Sequence, residues 1–512
     1  MNPKVIPFTL LLLLLGINSS FAQDNNPYQH LQGRYLPADT MVKTQHQVTI
    51  QGKNISYTAI AGTQPVYAKD GHIIASLFYV YYKRDGIEDR SKRPLMISFN
   101  GGPGTGSVWM NIGFTGPQRL KIDDEGYPVE PYGIVNNPDA ILDATDIVYV
   151  CPVNTGFSRI IDQDIDQDKF FGVNADINYL SDWINTFVSR HHRWRSPKFL
   201  IGESYGTTRV SGLAQILQQK QWMYLDGVIL VSPTDLGIDR TGPVKDASLL
   251  PYYTATAWYH HALNNSLQQR KLTDLLDEVE NFTIEEYIPA LVRGGSLSPS
   301  KKEKIAKQIA LYSGISKKDV LQHNLIIPRN FYWKDLLRDK GFTVGRLDSR
   351  YLGVDRQNAG TRPDYNAELN SWLHSFTPAI NYYLREKLNF KTDLKYQMFG
   401  NVWPWDRDQN HAGRALQKAL LGNPNLHLMV LSGYFDGACD YFNAKYSIWQ
   451  INQNDRLDDR IEWHGFQSGH MMYLRKEDNK KASHLIRTFI KKAVPQAGDA
   501  VKYPSDSAQK DE

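Results

Sequence analysis

The sequence predicts an α/β architecture: a mostly parallel central sheet with helices on both faces and a helical lid insertion. Two observations predict it. Short apolar runs bounded by turn residues recur at 94–99, 146–150, 198–201, 227–231 and 426–431, and such runs lack polar alternation because strands in a doubly covered sheet are buried on both faces. Between them lie segments with apolar residues three and four apart, such as Ile177, Leu180, Ile184 and Phe187. Strand and helix therefore alternate, which favours parallel strands joined by crossovers.

Taken in order, Lys4, the apolar run at 5–17 and the small residues of Ser20-Phe21-Ala22 read as a signal peptide over 1–22, cut before Gln23. The run is too short for a spanning helix, so the exported chain is expected to be secreted or periplasmic, without stable membrane insertion. Residues 23–46 read as a polar, irregular N-terminal extension. β-Branched and aromatic residues at 47–59 and 72–82 predict two adjacent antiparallel strands. The first part of the core then spans 47–235, and 236–423, with helix-compatible runs at 271–281 and 301–312, reads as the helical insertion. The second part of the core spans 424–494, and 495–512 reads as a flexible tail.

Composition narrows the function classes. The chain has 512 residues, 41% hydrophobic and 22% charged, which is globular. A net charge of only +4 gives no ground for a nucleic-acid partner. With Cys151 and Cys439 as the only cysteines, neither a disulfide scaffold nor a thiolate zinc site can be built.

Residues 198–206 read KFLIGESYG, an apolar strand running into Gly202-Glu203-Ser204-Tyr205-Gly206 and then a helical pattern. This is the strand, sharp turn and helix of a GxSxG nucleophile elbow, where small flanking residues let neighbouring backbones approach and Ser204 is lifted above the sheet edge. A serine hydroxyl is a weak nucleophile at neutral pH, so a histidine base and an orienting carboxylate must follow in the order Ser, acid, His. Asp436 lies just past the strand at 426–431 and is favoured as the acid. Asp440 is its rival, though better placed to cap the next helix. His470, after a Gly-bearing loop and before a C-terminal helix, is the expected base, with His464 as its competitor.

At this point the residues resemble the serine carboxypeptidase family. Asn100-Gly101-Gly102-Pro103-Gly104 is similar to that family's NGGPG segment, Pro152-Val153-Asn154-Thr155-Gly156-Phe157-Ser158 to its PVGTGFS block, the elbow to its GESYG, and Gly469-His470-Met471 to its terminal GHM. The resemblance implies an α/β-hydrolase fold that removes single residues from peptide or protein C-termini. It implies Ser204, His470 and Asp436 as the triad and the Gly102 and Tyr205 N–H groups as the oxyanion hole. Asn100, Gly101 and Glu203 would bind the substrate carboxylate, Cys439 would lie near the substrate pocket, and no metal or cofactor would be needed.

The chain departs from the family pattern in several places. Ser98-Phe99 replaces Trp-Leu before the NGGPG segment, and Thr105-Gly106-Ser107 replaces Cys-Ser-Ser, which removes the family disulfide from that loop to the lid. Val150-Cys151 precedes the second block, and the elbow continues as Thr207-Thr208-Arg209. An esterase or acyltransferase with the same triad, or a silent ligand-binding homologue, stays open at this level, as does the oligomeric state. The acidic run 162–168 lacks the Gly and closing Glu of a calcium loop and reads as a solvated loop. Asn54, Asn264 and Asn281 head glycan acceptor triplets.

Overall fold

The computed structural model describes residues 35–503 except Gln409, Asn454, Ala497 and Asp499. The expected signal peptide and the last residues of the tail lie outside them. Nine strands run in one continuous sheet: β1 (Thr40–Ile50), β2 (Lys53–Tyr67), β3 (Ile73–Arg84), β4 (Leu95–Phe99), β5 (Asp146–Val150), β6 (Lys198–Glu203), β7 (Gly227–Val231), β8 (His427–Gly433) and β9 (Ile461–Phe466). Their order is β1-β2-β3-β5-β4-β6-β7-β8-β9, with a short bridge from Arg159–Ile160 to β3. The pairs from β5 onward are parallel, and those from β1 to β5 antiparallel. The apolar runs thus occupy the middle of a mostly parallel sheet, as the sequence pattern requires.

Alternate residues of these strands feed two cores. Met96, Ile147, Ile201, Ile229 and Leu431 face one cluster, and Ile97, Val148, Leu200, Val228 and Val430 face the other. The second core is closed by α1 (Val173–Arg190) and α2 (Tyr205–Lys220).

Three features differ from the sequence reading. The span 47–59 is not one strand: β1 and β2 form a hairpin across Gln51 and Gly52, both at positive φ (47° and 78°), the backbone that a tight two-residue turn demands. β1 also reaches back into the supposedly irregular 23–46 extension. Its polar residues alternate exposed and half-buried along an edge, a pattern that one-sided edge strands share with polar loops. β9 is a further parallel strand beyond 426–431, half-buried along most of its length and so without an apolar run.

The interval 236–423 is likewise not one lid. A separate helical cluster includes α3 (Leu250–Tyr259), α4 (Leu272–Phe282) and α5 (Pro299–Ser313). By contrast, α6 (Ala367–Tyr382) packs Trp372, Phe376 and Ile380 into the first sheet core, and α7 (Ala412–Gly422) packs Leu416 and Leu420 into the second. These two helices cover the sheet, burying their amphipathic stripes against it.

Candidate active site

The carboxyl ends of β6, β4 and β8 converge. β6 is buried throughout and ends at Glu203; Ser204 follows at φ 57° and ψ −126°, and α2 starts at Tyr205. That backbone is strained for a non-glycine residue, at a cost of about 1–3 kcal/mol. It is held by Ser204 N donating to Val231 O (2.9 Å) and by the Thr207 hydroxyl donating to Ser204 O (2.6 Å). Gly206 is needed because a Cβ there would lie 2.8 Å from Phe99 O at the end of β4. Gly102 adopts φ +106°, which a side chain would oppose.

Asp436, fully buried on the loop after β8, accepts Ala438 N (2.9 Å) and Cys439 N (3.0 Å) on Oδ1, and His470 Nδ1 meets its Oδ2 at 2.6 Å. The backbone bonds fix the carboxylate, and the carboxylate fixes the tautomer of the neutral ring, in which the proton sits on Nδ1 and the Nε2 lone pair is free. Burial opposes charging of His470, but the adjacent Asp436 carboxylate outweighs it and pushes the imidazole pKa well above its ordinary value. Among the described residues Ser204 Oγ makes no hydrogen bond to His470, a separation common before substrate closes such a site. Both residues line one cavity of about 210 Å³, together with Gly101, Gly102, Trp109, Trp372 and Phe399.

Glu203 lies in the same wall. Its Oε2 accepts Asn100 Nδ2 (3.0 Å) and the Tyr473 hydroxyl (2.5 Å), while Oε1 lies 3.9 Å from His470 Nε2. Burial pushes its pKa up to about 6, against the opposing pull of His470, Tyr473 and Asn100. Of the residues expected to bind substrate, Gly101 and Glu203 line the cavity, but Asn100 does not. It is fully buried, donates to Glu203 and accepts Met110 N (3.1 Å). Asn100 is therefore placed to orient Glu203 from behind.

The two rivals are elsewhere occupied. Asp440 caps the helix Tyr441–Ile451 through Asn443 N (2.8 Å). His464 lies on β9 with Glu462 as its neighbour (3.5 Å).

The family model described as serine carboxypeptidase matches residues 66–487. The chain belongs to the serine carboxypeptidase family. Curated relatives include serine carboxypeptidase-like 36 of Arabidopsis thaliana, 26% identical over 43% of this chain and 43% of its own length. Serine carboxypeptidase-like 37 of the same plant is 28% identical over 36% of this chain and 37% of its own. The chain thus spans about two fifths of the length of the curated relatives it matches. The crystal structure of Kex1(Δ)p, a prohormone-processing carboxypeptidase from Saccharomyces cerevisiae, superposes with a TM-score of 0.51 at 14% identity, covering 84% of this chain and 91% of that one. That likeness establishes the α/β-hydrolase fold.

Three supports in this serine carboxypeptidase family member escaped sequence reasoning. Arg209, fully buried, donates to Asp176 Oδ2 (2.6 Å), Asn100 O (2.7 Å) and Pro103 O (3.1 Å), so it braces the NGGPG loop from behind. A guanidinium on the buried face of α2, one residue before Val210, was the available signal. Tyr473 reaches Glu203 across 270 residues of sequence and left none. The third is the segment around Arg346, which holds the Asp436 and His470 loops: Gly437 N donates to Arg346 O (3.0 Å), Ser349 N to Phe435 O (3.0 Å) and His470 N to Leu347 O (2.7 Å).

Both cysteines are free, Cys151 buried and Cys439 half-buried. The Cys439 sulfur lies within 4.8 Å of ligand atoms of both Asp436 and His470. Burial raises its thiol pKa, with His470 pulling the other way, which disfavours the thiolate. A bulky mercurial is expected to abolish most wild-type activity by obstruction, while Cys439→Ser retains most activity and resists the reagent. Inhibition of both proteins alike would disprove obstruction at Cys439.

Proposed function

We propose that the protein is an exported serine carboxypeptidase that releases single C-terminal residues from peptides through an acyl-enzyme on Ser204. The observation that carries this reading is Glu203, a buried carboxyl with a pKa pushed up to about 6, in the cavity shared by Ser204 and His470. In this reading His470 Nε2 takes the proton of Ser204 as Oγ attacks the scissile carbonyl. The Gly102 and Tyr205 N–H groups hold the oxyanion, and Asp436 stabilises the imidazolium. The imidazolium then protonates the leaving amine, and water attacks the acyl-enzyme by the reverse proton path. Trp109, Trp372, Phe399 and Leu347 offer the leaving residue an apolar site.

Among the described residues both hydrogen bonds to the Glu203 carboxyl fall on Oε2, which leaves Oε1 to carry a proton toward the substrate carboxylate. Protonated below about pH 6, Glu203 donates to that carboxylate; ionised above it, Glu203 repels it. KM for free-acid peptides is therefore expected to rise as pH increases through about 6. Glu203→Gln keeps a donor but loses the titration, so its KM profile should be flat between about pH 4 and 8. C-terminal amidation should lower wild-type kcat/KM by about 100-fold. Equal cleavage of free-acid and amidated peptides over that range would reject carboxylate recognition and favour an esterase.

Export in this reading rests on Lys4, the apolar run at 5–17 and Ser20-Phe21-Ala22. No helix among the described residues is long and apolar enough to cross a membrane. N-terminal sequencing of protein recovered from the medium or periplasm checks it, with Gln23 as the expected first residue.

A further inference from the structure

A second cavity, of about 370 Å³, shares Ser204, Gly102, Arg346 and Leu347 with the first, but His470 and Glu203 are not in its described lining. Its described lining carries five cationic side chains, Arg240, Lys245, Arg329, Arg346 and Arg407, against the single carboxylate of Asp235. Asp440, just behind the wall, does not neutralise them. It is shared by Arg329 (3.1 Å) and Arg240 (3.7 Å), so two guanidiniums divide one charge. Arg240 is the informative residue. Its side chain is 8% exposed, and its Nη1, which faces Asp440 Oδ1 at 3.7 Å, beyond hydrogen-bond reach, is buried without a hydrogen-bond partner among the described residues. Such a donor is costly to leave unmet unless a ligand completes it.

The place of this cavity relative to the scissile bond follows from the proton path. His470 protonates the leaving amine, so the leaving residue occupies the first cavity, which His470 and Glu203 line. The acyl portion then extends over Ser204 into the basic one. Arg346 borders both cavities, so the aromatic walls of the first and the other four cations of the second meet different parts of one substrate.

We propose that the acyl side of this site selects an acidic residue, aspartate or glutamate, immediately or one residue upstream of the scissile bond. The inference rests on the carboxypeptidase reading and adds the substrate class. Arg240 supplies a desolvated donor for the incoming carboxylate, and Lys245 and Arg407, both exposed, steer it by longer-range attraction. A lysine in the same place would face the uncompensated charge of the wall.

The test uses blocked peptides ending in a constant phenylalanine, with Glu, Gln or Lys placed in turn at each of the two acyl-side residues. Glu is expected to exceed Gln in kcat/KM by about 10-fold and Lys by about 100-fold, with the gap narrowing several-fold when salt rises from about 0.05 to 0.5 M. The double substitution Lys245→Glu and Arg407→Glu should shift the preference toward Lys. Both positions are exposed and without an ion pair among the described residues, so the fold is expected to persist, as circular dichroism would verify. Equal kcat/KM for Glu, Gln and Lys peptides overturns the acidic preference and leaves the carboxypeptidase reading standing. Failure to cleave any of these peptides, with ester turnover retained, overturns both.

Discussion

Ser204→Ala is expected to lose all covalent labelling by a fluorophosphonate and to lower peptide turnover by about four to six orders of magnitude, because nucleophile, base and acid act as one unit. The substitution removes only a hydroxyl that is not part of the packed core. The strained backbone at Ser204 is held by Val231 O and the Thr207 hydroxyl, neither of which depends on the Ser204 side chain. Thermal stability should therefore move little, and this separates a chemical loss from a folding loss. Labelling followed by peptide mapping is the direct measurement. A labelled serine elsewhere in the variant would reject the elbow assignment.

Asp436→Asn is expected to reduce kcat by about three to four orders of magnitude with little change in KM. The direction follows from the hydrogen bonds already in place. Oδ1 accepts the Ala438 and Cys439 N–H groups, so an asparagine must put its carbonyl oxygen there. Its amide then points at His470 Nδ1, where Oδ2 now lies. A donor facing Nδ1 forces the ring proton onto Nε2, and Nε2 can no longer accept from Ser204. Slow labelling of the Asn variant in a well-folded protein, followed by stopped-flow or intact-mass kinetics, is the expected signature. Wild-type rates in Asp436→Asn would remove Asp436 from the role of orienting acid.

Much of the fold was legible because its central strands are buried on both faces. Such strands must be continuous apolar runs, as Asp146–Val150 and Gly227–Val231 are. Where burial is one-sided the signal fails, as at the polar edge strand Thr40–Ile50 and the half-buried Ile461–Phe466. Nor does helical periodicity state which surface a stripe will meet. The segment at 367–382 was grouped with the insertion, yet it packs into the sheet core through Trp372 and Phe376.

By itself the sequence determined the elbow, since strand, turn and helix are local and lie within a few residues of Ser204. It also marked Asp436 and His470 as loop residues after the last long apolar run. Only the tertiary structure decided what surrounds them. Arg209 braces the backbone at Asn100, Tyr473 and Asn100 converge on Glu203, and the segment at Arg346–Ser349 holds the Asp436 and His470 loops together. The five cations of the basic cavity are scattered from Arg240 to Arg407. The physical reason is that sequence periodicity encodes which face of an element is buried, whereas a buried hydrogen bond or a shared electrostatic field depends on which distant faces meet.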